Sequence, residues 1–191
     1  MIQIRVARST DGAACAAIYR PIVEETWIAF ETEAPSPVEM SRRIAATLPR
    51  FPWLVAVDGD FVLGYAYAGA HRDRAAYRWS VDVTAYLAEG ARRKGLGRRL
   101  YTVLFDLLRR QGFRSAFAGI ALPNAASTGL HEAMGFEAIG VYADVGYKKG
   151  DWRDVGWWRL GLNTRQGKPA EPMAFADLRR DAAFSSWLGE R

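Results

Sequence analysis

The sequence predicts an α/β fold, with strands and helices mixed along one domain, and three observations carry that reading. Apolar residues alternate with a period of two in several short segments and recur with helical spacing in others. Half of the 191 residues are apolar and 13% are aromatic, enough for a sizeable core and too many for a disordered chain. The stretch "GARRKGLGRRL" (Gly90–Leu100) sets two glycines among five basic residues where a strand passes into a helix.

Each element has its own signal. Ile2–Ala7 alternates as a strand. Ser9–Thr26 reads as a helix capped by Ser9 or Thr10 and bent at Pro21. Ser36–Leu48 is a helix with Ser36 as N-cap, Pro37 at its first position and Glu39 at the capping-box position. Trp53–Val57 and Phe61–Gly69 form a hairpin around Asp58-Gly59-Asp60. Ala76–Ala88 is long, β-branched and aromatic, a central strand. From Leu96, the residues Leu100, Val103, Leu104, Leu107 and Leu108 recur on one helical face, with Arg98, Arg99, Asp106, Arg109 and Arg110 largely opposite. Gly112 ends that helix. Arg114–Leu122 is a strand, and Pro123–Met134 a short helix with Asn124 as N-cap and Gly135 as its stop. Phe136–Tyr147 and Asp151–Leu162 close the domain as an antiparallel pair. The domain thus spans 1–162. Residues 163–191 follow as a tail, with a linker over Thr164–Pro172 and one terminal helix over Met173–Leu188 that offers Phe175, Leu178, Phe184 and Trp187 for packing.

Composition excludes some chemistry. Cys15 is the sole cysteine, so no internal disulfide forms. With His71 and His131 it cannot make an ordinary zinc site, so no metal is expected. There is no apolar signal core and no run near the roughly 18 apolar residues of a spanning helix, so a cytoplasmic protein with no membrane partner is expected. Net charge is +5, which suits an anionic small ligand. Basic and aromatic residues are not interleaved on one surface, so no nucleic acid is expected.

The glycine pair answers to a phosphate. Unpaired N–H groups and a partial positive charge sit at a helix N-terminus, and glycines let an anion come close to them. A dinucleotide fingerprint fails because Leu100 stands where the third glycine belongs. A Walker loop fails because Leu96-Gly97 replaces Lys-Ser/Thr after Gly90 and Gly95. What remains is R-x-x-G-x-G, here Arg92-Arg93-Lys94-Gly95-Leu96-Gly97.

That loop resembles the pyrophosphate loop of the GNAT N-acetyltransferases, and "NAASTGLHEAMGF" (Asn124–Phe136) resembles their second signature. "FPWLVA", "GYAYAG", "AYRW", "GLGRRLYTVL", "ALPNAAS", "LHEAMGF" and "DVGWW" extend the likeness to the phosphinothricin and methionine sulfone or sulfoximine acetyltransferases, from about Ile2 to Leu162. The resemblance implies a mixed, mostly antiparallel sheet with two splayed parallel strands, flanked by helices. It implies acetyl-CoA as co-substrate, a small amino acid as acceptor and a homodimer, whose apolar area is offered by "GWWRLGL". By the same resemblance Ala85, Tyr86 and Leu87 line the pantetheine arm, Arg92, Arg93, Lys94, Gly95, Leu96, Gly97 and Arg98 hold the pyrophosphate, and Asn124 contacts the pantetheine or serves only as a cap.

Two catalytic candidates follow. Asp82 alternates with Val81 and Val83, and apolar neighbours raise a carboxylate's pKa towards that of a useful base. Those enzymes usually carry Glu there. The alternative is a carboxylate satisfied by Arg72, Arg74 or Arg78. His131, at about pKa 6.5 when unperturbed, suits an acid or a base, or else is packed and bonded locally. Tyr101 and Tyr142 are weaker acid candidates. For the acceptor, the resemblance assigns Phe30, Arg72, Arg74 and Tyr77, with Arg72 and Arg74 sharing a face if extended. Glu31 stands where those enzymes often carry Arg, a departure that argues against a strongly anionic substrate. A non-catalytic acyl-CoA sensor or a basic nucleic-acid module is the rival class.

Overall fold

The computed structural model describes residues 1–164 and 167–189. Seven strands form one sheet: β1 (Gln3–Val6), β2 (Trp53–Asp58), β3 (Phe61–Ala70), β4 (Ser80–Leu87), β5 (Ser115–Ala121), β6 (Glu137–Lys148) and β7 (Asp151–Gly161), in the order β1-β2-β3-β4-β5-β7-β6. Every neighbouring pair is antiparallel except β4 and β5. The expected hairpin closes as Asp58 opposite Phe61, around Gly59 and Asp60.

Helices cover both faces. On one lie α1 (Gly12–Glu25) and α2 (Pro37–Thr47), which bury Cys15, Ile22, Val23, Met40 and Ile44 against Trp53, Val55 and Tyr65. On the other lies α3 (Leu96–Gln111), whose Leu100, Leu104, Leu107 and Leu108 are fully buried against Leu54, Ala66, Val81 and Ala116. Burying each such leucine contributes about 1.5–3 kcal/mol. The short α4 (Ala125–Ala133) joins this second face through Leu130 and His131.

Ser36 caps α2 as its sequence indicates, its hydroxyl accepting from the Glu39 amide at 3.1 Å. The Glu39 carboxylate turns instead to Arg42 and Arg43, so no capping box closes. The start of α1 differs from expectation. Neither Ser9 nor Thr10 caps it, because Ser9–Asp11 form a 3-10 turn. Asp11 stands at the N-cap position of α1 without a side-chain bond to that helix; its carboxylate closes the 3-10 turn by accepting the Arg8 amide at 2.7 Å, while Arg5 donates to both its oxygens.

The central strand is shorter than the sequence predicts. Ala75–Tyr77 form a 3-10 turn and β4 begins only at Ser80. The tail also differs. In place of one helix there are two single turns, α5 (Phe175–Leu178) and α6 (Phe184–Trp187). Both pack onto α3 and bury Phe175, Leu178, Phe184 and Leu188 in the main core. Gln111 clamps the tail by donating to the carbonyls of Arg50 and Met173. The linker expected over Thr164–Pro172 includes residues 165 and 166, which lie outside the described residues.

Candidate active site

The site begins where the sheet opens. β4 and β5 pair at only three positions, Ser80 with Ser115, Val81 with Ala116 and Asp82 with Phe117. Beyond that fork β4 stays bonded to β3, and the edge of Thr84–Leu87 towards β5 has no strand partner. A cavity of about 280 Å³ fills the fork. Val83–Leu87 line it from β4, Ala118–Ala121 from β5, and Tyr101, Asn124 and His131 from the α3 face. Ala85, Tyr86 and Leu87 therefore lie where the sequence places them, along the gap. A larger hollow of about 470 Å³ lies beside the tail near Arg109 and Glu171, away from the fork.

The basic loop stands at the mouth of the gap. Arg93 and Gly95 adopt positive φ, 59° and 75°, which turns the chain into α3. Leu96 plugs the turn into the core. The first amide to enter the helical ladder is that of Arg99, on the Gly95 carbonyl at 3.1 Å. The preceding N–H groups are free at the helix start and present partial positive charge. Arg93, Lys94 and Arg98 are exposed around them. Arg92 is tied back, donating to the Leu87 carbonyl at 3.3 Å. Gly97 is buried, and a Cβ there would lie 3.1 Å from Leu130 and 3.7 Å from Leu87, two residues of the cavity wall. Asn124 caps α4 by accepting from the Ser127 amide at 3.2 Å while facing the same cavity.

Two polar pairs flank the fork on opposite faces. On the α3 face, Tyr101 Oη lies 3.0 Å from His131 Nε2, and His131 Nδ1 lies 2.8 Å from the Ser127 carbonyl. A carbonyl only accepts, so Nδ1 carries the proton and Tyr101 donates to Nε2. Burial pushes the His131 pKa down and the Tyr101 pKa up. Both groups are therefore neutral near pH 7, and His131 is bonded locally on both ring nitrogens.

On the opposite face, Asp82 does not pair with an arginine. Its Oδ1 lies 2.6 Å from His71 Nδ1. Burial raises the Asp82 pKa, against the lowering effect of His71 and Arg72. The His71 ring stacks on Phe117, 4.2 Å between centroids, and meets Trp157 and Tyr77 edge-on at 5.9 and 6.0 Å. The sequence reading missed His71. The readable signal was register: Gly69 faces Asp82, and His71 lies two residues on along the same face.

The acceptor candidates are only partly gathered. Arg72 lies over the Trp157 ring at 5.3 Å and donates to the His71 carbonyl. Tyr77 edges the His71 ring, but from the 3-10 turn and not from a strand. The segment carrying Arg72 and Arg74 is a loop, so the shared extended face does not form, and Arg74 is exposed. Phe30 packs over Gly146, where a Cβ would strike its ring. Lys148 fixes that neighbourhood, its Nζ donating to the carbonyls of Val23 and Ala29 at 2.7 and 2.6 Å. Glu31 is held by Arg43 through two hydrogen bonds and by Tyr19, so its charge is neutralised locally. The Trp157 Nε1 is buried without a hydrogen-bond partner among the described residues. Tyr142 is exposed and packs on the same indole. No group of three or more potential metal ligands occurs among the described residues.

This arrangement has known counterparts. Residues 4–157 match the family described as an acetyltransferase (GNAT) domain. A phosphinothricin N-acetyltransferase of Streptomyces viridochromogenes is 42% identical over 158 residues, covering 83% of this chain and 86% of that protein. An L-methionine sulfoximine/L-methionine sulfone acetyltransferase of Pseudomonas aeruginosa is 36% identical over 171 residues, covering 87% and 98%. The crystal structure of a GNAT phosphinothricin acetyltransferase from Sinorhizobium meliloti in complex with AcCoA superposes with a TM-score of 0.85 at 35% identity, over 89% of this chain and 94% of that one. With its forked strands, its glycine loop at the head of α3 and these relatives, the chain belongs to the GNAT acetyltransferase family.

Proposed function

We propose that the chain transfers the acetyl group of acetyl-CoA to the α-amino group of a small free amino acid with an oxygen-bearing side chain, such as phosphinothricin, methionine sulfone or methionine sulfoximine. The observation that carries this reading is the fork after Asp82 and Phe117, with the positive-φ basic loop at its mouth. The free edge of Thr84–Leu87 is the partner for a pantetheine arm. The N–H groups at the start of α3, with Arg93, Lys94 and Arg98 around them, are the seat for a diphosphate. Arg92, Gly95, Leu96 and Gly97 shape that seat, and the free side-chain amide nitrogen of Asn124 faces the arm.

The acceptor enters from the His71–Asp82 face. Arg72 meets its carboxylate, Tyr77 and Phe30 wall the pocket, and Arg74 contributes long-range attraction only. The unpartnered Trp157 Nε1 is a donor for a side-chain oxygen; leaving such a group unsatisfied costs about 1–3 kcal/mol. On the far face Tyr101 gives its one hydroxyl proton to His131 Nε2 at rest, and turns it to the sulfur as charge develops there. A low His131 pKa makes that residue a holder of Tyr101 and not the resting acid. The reading needs no metal, membrane or nucleic acid, and it places the enzyme in the cytoplasm, where acetyl-CoA is used.

A homodimer belongs to the same proposal, but its apolar area is not where the sequence reading put it. In "GWWRLGL" Trp158, Leu160 and Leu162 are buried in the core. The edge strand β6 instead exposes Ile139, Val141, Tyr142, Val145 and Tyr147, and Trp152 lies beside them. Such an uncovered edge favours pairing with a second chain. Light scattering at micromolar concentration is expected to give twice 21.3 kDa, and the monomer mass would remove the dimer.

The test of the activity is an acceptor screen with thiol detection. Free amino acids of the stated kind are expected to give the highest kcat/KM. Preference for polyamines, aminoglycosides or peptide N-termini would overturn the acceptor class. Acetyl-CoA binding without turnover of any amine would favour a sensor.

A further inference from the structure

We propose that His71, and not Asp82 itself, is the group that takes the proton from the acceptor nitrogen, with Asp82 as the residue that positions it. This inference rests on the acetyltransferase reading above and adds a catalytic residue to that site.

Three observations carry it. The first is the 2.6 Å contact between His71 Nδ1 and Asp82 Oδ1. An ionised carboxylate only accepts, so Nδ1 holds the proton and the lone pair of neutral imidazole is on Nε2. The second is that Nε2 has no hydrogen-bond partner among the described residues, whereas both ring nitrogens of His131 are engaged. The third is position. The ring stacks on Phe117, the last β5 residue paired with β4, so the imidazole lies at the closed end of the fork. Arg72 and Tyr77, the two residues proposed for the acceptor, border it.

Asp82 alone is poorly suited to the task. Its carboxylate is one methylene shorter than glutamate, and one of its oxygens is occupied by His71. The histidine adds a second nitrogen, Nε2, whose lone pair is not taken by the carboxylate. The logic is that of a carboxylate that fixes an imidazole's tautomer and stabilises the imidazolium once formed. The charged or titratable groups around the ring are Asp82 from β4, Tyr77 from the 3-10 turn and Arg72 beside it in the loop; β5 and β7 present Phe117 and Trp157.

The step balances. The neutral amine's lone pair forms the C–N bond and its proton passes to Nε2. The C–S bond breaks with its electron pair on sulfur. Imidazolium then gives its proton to solvent, and the thiolate takes one up.

The decisive variant is His71→Asn. An asparagine amide nitrogen occupies the place of Nδ1 and still donates to Asp82, but it has no second basic nitrogen. A drop in kcat of about 10²–10⁴ is expected, with acetyl-CoA affinity unchanged by calorimetry. Wild-type kcat in this variant would reduce His71 to a prop for Asp82 and overturn the proposal. If the variant does not fold, the wild-type enzyme still decides. The chain has two histidines, and the His131 ring is recognised by its contact with Phe136. Nitrogen NMR is expected to show His71 as the Nδ1–H tautomer, titrating with the same pKa as the acid limb of kcat/KM. An Nε2–H tautomer, or a His71 titration unrelated to that limb, would also overturn it. Wild-type turnover failing altogether would instead remove the acetyltransferase reading on which this rests.

Discussion

His71 and His131 sit on opposite faces of the same fork, and each is hydrogen-bonded to a side chain of another element. His131 is buried on the α3 face with both nitrogens engaged, and burial pushes its pKa down. His71 lies on the opposite face with one nitrogen committed to a carboxylate. The difference teaches that residue type does not decide the role. A neutral imidazole whose lone pair already receives a tyrosine hydroxyl has no capacity for another proton without breaking that bond. One whose Nδ1 is held by a carboxylate keeps the lone pair on Nε2 free.

The sharpest way to break this comparison is to exchange the carboxylate. Asp82→Asn is expected to lower kcat by about 10²–10⁴ while acetyl-CoA affinity, read by calorimetry, survives. His131→Gln is expected to cost about tenfold or less. Equal losses in the two variants would mean that the faces are not divided as described.

Next in size is the acceptor contact. Arg72→Ala removes a charge-assisted hydrogen bond worth about 1.5–3 kcal/mol, so kcat/KM for the free amino acid should fall about 10–100-fold, mostly through KM. Arg74→Ala, at an exposed position, is expected to change little. Steady-state kinetics separates the two, and equal effects would restore the shared face that the loop removes.

The smallest effect concerns pH and stability. The folded-state pKa of His131 lies below its ordinary 6.5, so the unfolded chain binds the proton more readily. The stability that His131 contributes is therefore complete above about pH 6.5 and is lost as pH falls towards the folded value. Tm should decline on acidification from pH 7 to 5, by about 2–4 °C for each kcal/mol lost, and decline less in His131→Gln. An identical pH profile in both proteins would contradict the burial argument.

Much of the fold was legible because its signals are local. Ser36-Pro37 starts α2, Gly59 turns the hairpin, and the leucine spacing from Leu96 with Gly112 bounds α3. Two boundaries were not. Ala75–Tyr77 contain no glycine or proline, so the apolar run reads straight into β4 although the chain turns there. In the tail, the gap from Leu178 to Phe184 breaks helical spacing. Asp181 accepts the Ala183 amide at 2.8 Å in that break, a local stop that pattern matching over the apolar residues passes over. At the site, the loop and Asn124 were readable because one contiguous segment builds each. His71 with Asp82, and Glu31 with Arg43, are pairs made by register and by packing between separate elements. Their spacings of 11 and 12 residues carry no periodic signal.

The most direct test of the central reading follows thiol release and N-acetyl formation together in one time course, with methionine sulfone and with its carboxamide as acceptors. One thiol per N-acetyl product is expected, and the free acid should be turned over at least about tenfold faster than the amide, since Arg72 has a carboxylate to meet only in the acid. Thiol release without N-acetyl product, or equal rates for acid and amide, would contradict it.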